Sequence, residues 1–399
     1  MTPSEPAQAM PSASTLSILE TLIAFDTTSR NSNLALIRWV QDYLAPFGAE
    51  LRLTFDAEKR KANLFATIGG GPLPGWIFSG HTDVVPVDGQ NWASSPFTAH
   101  VRDGNVYGRG ACDMKGFIAC VLAAVPRMLA AGSPAPFHLA LSYDEEVGCI
   151  GVRDMLADLA DRRIRPAACI VGEPTMMGLV VAHKGRREMC CRVRGREAHS
   201  SRTDLGINAI EHGAHLIAQV QRLAGMEAGS GYRDPGFELP YTTLQCSMVA
   251  GGIAPNTVPG DCRFNVEARY LPGQDAEGLF DRLRSHGDAH ILPKMRAGDD
   301  SGSIEWTLVN DSPPFAIPPS DPLVAFMQEM TSSDRLQRVA YSTEAGLFQN
   351  AGIRTIICGP GSIEQAHRPD EFVSLAQLAA CEAFLDRVID SGIPRGFAG

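Results

Sequence analysis

The chain has 399 residues, 44% of them hydrophobic and 20% charged, which is ordinary for a soluble globular protein and long enough that two domains are expected. Its formal net charge is −10 with a pI near 5.5, and no Lys/Arg-rich run offsets it, which excludes a nucleic-acid footprint. No stretch approaches ~18 consecutive apolar residues, which excludes a membrane span, and the polar segment from Met1 to Ala13 lacks the basic start and apolar core of a signal peptide.

Two amphipathic patterns, Leu16–Ala24 and Leu34–Phe47, predict helices. Strand-like runs follow at Glu50–Phe55, Asn63–Ile68 and Gly75–Gly80. Met114–Leu129 is predicted as one long Ala-rich helix, Phe137–Ser142 as a strand, Gly151–Leu159 as a helix and Ala168–Val171 as a buried strand. This alternation predicts an α/β fold with a mostly parallel mixed sheet between helices, and in such sheets the ligand lies outside the carboxyl ends of the strands. From Val180–Arg194, read as one strand, the texture changes. A helix at Asn208–Leu223, strands at Thr242–Val249 and Cys262–Ala268, a helix at Gln274–His286 and a strand at Ser303–Val309 give the β-α-β-β-α-β order of a ferredoxin-like α+β domain. The stretch Pro313–Pro319 reads as a linker, after which Pro322–Met330, Thr343–Gln349, Arg354–Cys358 and Leu375–Asp390 resume the alternation. The expected organisation is a discontinuous catalytic domain, residues 1–186 and 312–399, with residues 187–311 inserted.

Acidic and histidine residues recur along the first part: His81-Thr82-Asp83, Asp113-Met114-Lys115-Gly116, Asp144-Glu145-Glu146, Gly172-Glu173-Pro174 and finally His367. The first four stand at or near the ends of apolar runs. Singly each has an ordinary reading: a solvated His-Asp pair, an N-cap aspartate, an acidic turn, a loop histidine. Together they form a set that is costly to gather unless something cationic neutralises it. Two imidazoles and three carboxylates suit two divalent ions, zinc or cobalt. Asp83 beside His81 matches a group that orients a ligating imidazole. Glu145 and Glu146, facing opposite ways on an extended backbone, would divide the work, one binding metal and the other handling the proton of the attacking water. The ten cysteines are scattered, with no Cys-x-x-Cys pair, and read as reduced, mostly buried thiols in a cytoplasm; Cys112 beside Asp113 reads as a packed neighbour. Gly69-Gly70-Gly71 lacks the Lys-Ser/Thr of a phosphate loop, and no Gly-x-Ser-x-Gly elbow is present.

The segments Ser79-Gly80-His81-Thr82-Asp83-Val84-Val85-Pro86, Tyr107-Gly108-Arg109-Gly110-Ala111-Cys112-Asp113-Met114-Lys115-Gly116, Asp144-Glu145-Glu146-Val147-Gly148 and Val171-Gly172-Glu173-Pro174 resemble a known family. So do Gly195 to Ser201, Gly251 to Pro259 and Gly359 to His367. The family is that of the dinuclear-zinc amidohydrolases and peptidases, which includes acetylornithine deacetylase, succinyl-diaminopimelate desuccinylase and aminoacylase. The resemblance implies that His81 and Glu173 bind one ion, Glu146 and His367 the other, and that Asp113 bridges them. It further implies that Asp83 orients His81, that Glu145 is the general base, and that His199 reaches the partner subunit's site in a homodimer joined through the inserted lid domain and stabilises the oxyanion there. Asn256, Arg269, Arg186 and Thr343 would hold the substrate's carboxylate or scissile carbonyl. Gly-Ala-Cys-Asp-Met-Lys-Gly and Gly-Pro-Gly-Ser-Ile-Glu-Gln-Ala-His look most like the acetylornithine deacetylase branch, which implies hydrolysis of N2-acetyl-L-ornithine; the alternative is another N-acyl amino acid or a dipeptide.

Overall fold

The computed structural model describes residues 10–71, 73–297 and 300–393, so the first nine residues of the polar N-terminal segment lie outside it. The chain divides into two units. One comprises Met1–Val181, Ile317–Gln337 and Thr343–Gly399; the other comprises Ala182–Ala316 and Arg338–Ser342.

In the first unit, Phe137–Ser142, Trp76–His81 and Ala168–Val171 are buried along their whole length, as continuous apolar runs are when both faces of a sheet are covered. They lie side by side and parallel, and Thr355–Ile357 extends the parallel set beyond Ala168–Val171. Antiparallel strands flank them: Ala62–Ile68 and then Glu50–Phe55 on one side, Leu179–His183 on the other. The sheet is therefore mixed, with its parallel strands at the centre. The helix Gly116–Ala123 packs against Ala13–Ala24 and Leu375–Ser391, and the latter two are capped by the hydroxyls of Ser12 and Ser374, each accepting a backbone N–H three residues on at 3.1 Å.

The long helix expected over Met114–Leu129 is broken. It begins only at Gly116 and divides at Ala124 into Gly116–Ala123 and Val125–Ala130. Pro126 has no N–H to offer the Leu122 carbonyl, and that carbonyl accepts the Tyr43 hydroxyl at 3.1 Å. A three-stranded sheet of His100–Arg102, Asn105–Tyr107 and Phe372–Ser374 was not predicted.

The second unit holds an antiparallel sheet in the order Thr243–Gly251, Asp261–Tyr270, Gly185–Arg194, Ser303–Ser312, with helices Ala209–Ser230 and Ala276–His286 interleaved in the chain as β-α-β-β-α-β. Cys191, Val193, Phe264 and Val266 of the sheet share a buried core with Leu216, Val220, Leu279, Phe280 and Leu283 of the helices. The single strand expected over Val180–Arg194 is two, Leu179–His183 and Gly185–Arg194. Among the described residues no helix is long and apolar enough to cross a membrane.

Candidate metal centre

Three of the parallel strands of the first unit, Trp76–His81, Phe137–Ser142 and Ala168–Val171, deliver donors at or just beyond their carboxyl ends. His81 is the last residue of Trp76–His81 and is 1% exposed. Its Nδ1 lies 2.9 Å from the backbone carbonyl of Asp83; a carbonyl only accepts, so Nδ1 carries a hydrogen and the ring is fixed with Nε2 turned inward. Nε2 stands 3.0 Å from Asp113 Oδ1, to which it donates.

Asp113 lies in the turn Ala111–Lys115, entered through Gly110 at φ 80°, and has φ −119° and ψ 92°. It is not the N-cap that its position before a helix suggested. Its other oxygen, Oδ2, stands 3.3 Å from His367 Nε2, and His367 Nε2 is 3.0 Å from Glu146 Oε2. The two oxygens of one carboxylate thus face two different imidazoles.

Glu145 and Glu146 follow the strand Phe137–Ser142 in a turn, not on the extended backbone expected, with the N–H of Gly148 and of Cys149 each donating to the Glu145 carbonyl at 2.9 Å. The turn, and not strand alternation, separates their side chains: Glu146 meets His367, whereas donor atoms of Glu145, His81 and Glu173 lie within 4.8 Å of one another. A second such group is His81, Asp113 and Glu146. Asp83 does something other than what its sequence position suggested. Its carboxylate is 3.7 Å from His81 Nδ1 and instead accepts the backbone N–H of Glu145 at 3.1 Å, that of Glu146 at 3.3 Å and the Ser29 hydroxyl at 2.7 Å. The carboxylate holds the Glu145–Glu146 turn, while the Asp83 carbonyl orients His81. Lys61 pairs with Asp144 at 2.5 Å and braces the same turn.

Burial pushes the carboxyls of Glu145 and Glu173 well above their ordinary range, and neighbouring carboxylates push further; Glu146 is raised to about 7 for the same reasons. Asp113 is lowered: the hydrogen bonds from His367 and His81 outweigh its burial. Burial would lower His81, but Asp113 holds it well above the usual imidazole value. Four carboxyls crowd around two imidazoles, and two divalent cations would neutralise the set. The spacing fits as well, since two atoms each 2.0–2.2 Å from one tetrahedral zinc stand roughly 3.3 Å apart.

The other predicted residues lie elsewhere. Thr343, in the first unit, is fully buried, and its hydroxyl accepts the Ala345 N–H at 3.1 Å at the start of the helix Ala345–Asn350. His199, Asn256, Arg186 and Arg269 belong to the second unit. His199 is exposed, and its Nδ1 accepts the Ser201 N–H at 3.2 Å, which leaves Nε2 as a donor. Asn256 sits in an exposed turn whose carbonyl accepts the Ser200 N–H at 3.0 Å. Arg186 and Arg269 face each other across paired strands and share Glu267, at 2.7 and 3.1 Å, with Arg186 also 2.8 Å from Glu188. Sequence reasoning missed the buried groups behind the donors, Ser29, Arg109 and Glu371. Arg109 sits inside a quoted motif, and Glu371 follows His367 by four residues, but nothing in their spacing marks them.

Residues 77–391 match Peptidase family M20/M25/M40. The chain is 33% identical to the acetylornithine deacetylase of Proteus mirabilis over 369 residues, covering 92% of each chain, and 35% identical to that of Myxococcus xanthus, covering 93% of this chain and 95% of the other. Its fold is similar to that of a tripeptidase from Staphylococcus aureus (TM-score 0.74, 19% identity, 96% of this chain and 99% of the other). It is also similar to an M20 family metallo-carboxypeptidase from Sulfolobus solfataricus (TM-score 0.72, 19% identity, 94% and 99%).

Proposed function

We propose that this chain, which belongs to Peptidase family M20/M25/M40 and is thus an amide-bond hydrolase, hydrolyses N2-acetyl-L-ornithine to L-ornithine and acetate. The substrate rests on relatives named acetylornithine deacetylase that match along nine-tenths of both chains. The chemistry rests on one observation, the Asp113 carboxylate set between His81 and His367.

In this reading His81 and Glu173 hold one ion, Glu146 and His367 the other, and Asp113 both. When bound, zinc or cobalt would polarise the amide carbonyl and lower the pKa of water from 15.7 towards 7. Glu145, beside His81 and Glu173 but not needed as a ligand, takes the proton of the attacking water and returns it to the leaving nitrogen. Asp83 keeps the base in place through the two backbone N–H groups of the turn. His199, with Nε2–H free to donate, supplies a hydrogen bond to the developing oxyanion, from the partner chain of a cytoplasmic homodimer. Arg186 and Arg269 bind the substrate carboxylate with the N–H groups that Glu267 and Glu188 leave open.

A panel of N-acyl amino acids and dipeptides tests the substrate. N2-acetyl-L-ornithine should give the highest kcat/KM. A tenfold preference for N-succinyl-diaminopimelate, another acyl amino acid or a dipeptide would replace this substrate while leaving the reaction class intact.

A further inference from the structure

One buried ion pair joins the two loops that carry Asp113 and His367. Arg109 and Glu371 are each 1% exposed, with Arg109 NH1 at 2.7 Å from Glu371 Oε2. The same carboxylate accepts three backbone N–H groups of the Asp113 turn: Gly110 at 3.1 Å on Oε2, and Cys112 at 2.9 Å and Asp113 at 3.0 Å on Oε1. Arg109 reaches the other loop. It donates to the Arg368 carbonyl at 3.3 Å and to Gln90 Oε1 at 2.6 Å, and Gln90 Nε2 donates to the His367 carbonyl at 3.0 Å. His367 itself has φ 65°, a left-handed conformation that a side-chain-bearing residue keeps only where its surroundings over-determine it.

We infer that Arg109, Glu371 and Gln90 form a positioning unit that sets the spacing of Asp113 from His367, and through it the affinity of the ion those residues share with Glu146. This rests on the metal-binding reading above. One backbone bond spans the turn, from the Lys115 N–H to the Gly110 carbonyl at 2.8 Å, while Asp113 itself departs from helical φ/ψ; the direction of its side chain therefore follows from where the N–H groups before it are tied, and three of them are tied to one carboxylate. Stability gives little reason for the arrangement, because a buried ion pair is commonly no better than apolar residues of the same volume. The other ion shares Asp113 but has firmer anchors of its own, since His81 is fixed by its strand and by the Asp83 carbonyl and Glu173 follows a buried strand, so loosening the Arg109–Glu371 pair should weaken the ion at His367 more than the ion at His81.

The test is zinc and cobalt titration, by calorimetry and chelator competition, of wild type, Glu371→Gln and Gln90→Ala, with circular dichroism to establish folding. Groups behind the ligands typically set metal affinity by 10–100-fold. Wild type should bind two ions. Glu371→Gln should weaken one ion on the order of 10–100-fold and the other by clearly less, and Gln90→Ala, at the more exposed edge of the network, should weaken the same ion by a smaller factor even if Glu371→Gln fails to fold. Folded variants that bind both ions like wild type, or that weaken both equally, overturn the inference alone. A wild type that binds no ion overturns the metal-binding reading and the inference with it.

Discussion

Glu145 and Glu146 are neighbours in sequence with separate surroundings, and the division of roles proposed for them rests on this. Glu146 meets His367 at 3.0 Å, while Glu145 stands with His81 and Glu173. Glu145→Ala should therefore keep both ions and lose ~10²–10⁴-fold in kcat, the usual cost of removing a general base. Metal content and turnover measured on one preparation check this; loss of an ion with an unchanged rate per remaining ion would exchange the two roles. At this scale the donors were legible because their residue types announce their chemistry. Side-chain direction was not. Asp83 is read from its place beside His81, and Thr343 and the two arginines from the family resemblance; that the Thr343 hydroxyl accepts the Ala345 N–H is a local bond that no pattern of residue types reveals.

The buried strands were the most legible elements, Phe137–Ser142 and Ala168–Val171 without error, whereas the helix expected over Asn208–Leu223 runs on to Ser230. What escaped was short or interrupted: three strands of three residues, too brief for a period of two to register, and a helix broken by the missing N–H of Pro126. The strand Phe137–Ser142 also carries a titratable passenger. His138 is 5% exposed, stacks on Phe65 of the neighbouring strand with ring centroids 4.9 Å apart, and pairs Nδ1 with Thr67 Oγ1 at 3.0 Å. Burial lowers its pKa from 6.5 to about 4, so the unfolded chain binds a proton that the folded chain refuses. Its contribution to stability is complete above pH 6.5 and is lost as pH falls through 4, in all about 3 kcal/mol. His138→Phe keeps a ring and removes the proton site; denaturation midpoints of wild type should fall faster than those of the variant across that window. Parallel curves would show that the imidazole is protonated without cost where it sits.

At the scale of the whole molecule the expected homodimer is the test of His199. The strand Thr243–Gly251 is the outer strand of its sheet and exposes Met248 at 68% and Val249 at 64%, an edge of the kind that invites a partner. His199→Ala should lower kcat ~10²–10³-fold with little change in KM. Mixing it with Glu145→Ala chains should restore part of the activity, because one site of a mixed dimer then has both an intact Glu145 and an intact His199. No recovery despite demonstrated subunit exchange would confine His199 to its own chain's site or remove it from catalysis. The sheet of the first unit adds a consequence for how the protein is made. Thr355–Ile357 lies between Ala168–Val171 and Leu179–His183, strands that leave the ribosome far earlier, and at roughly 5–20 residues per second the interval is many seconds. Until that late strand slots in, the nascent sheet has an open seam between Ala168–Val171 and Leu179–His183 and an acidic pocket that lacks His367. A product of interrupted translation that stops before Thr355 would therefore combine unpaired strand edges with an incomplete donor set.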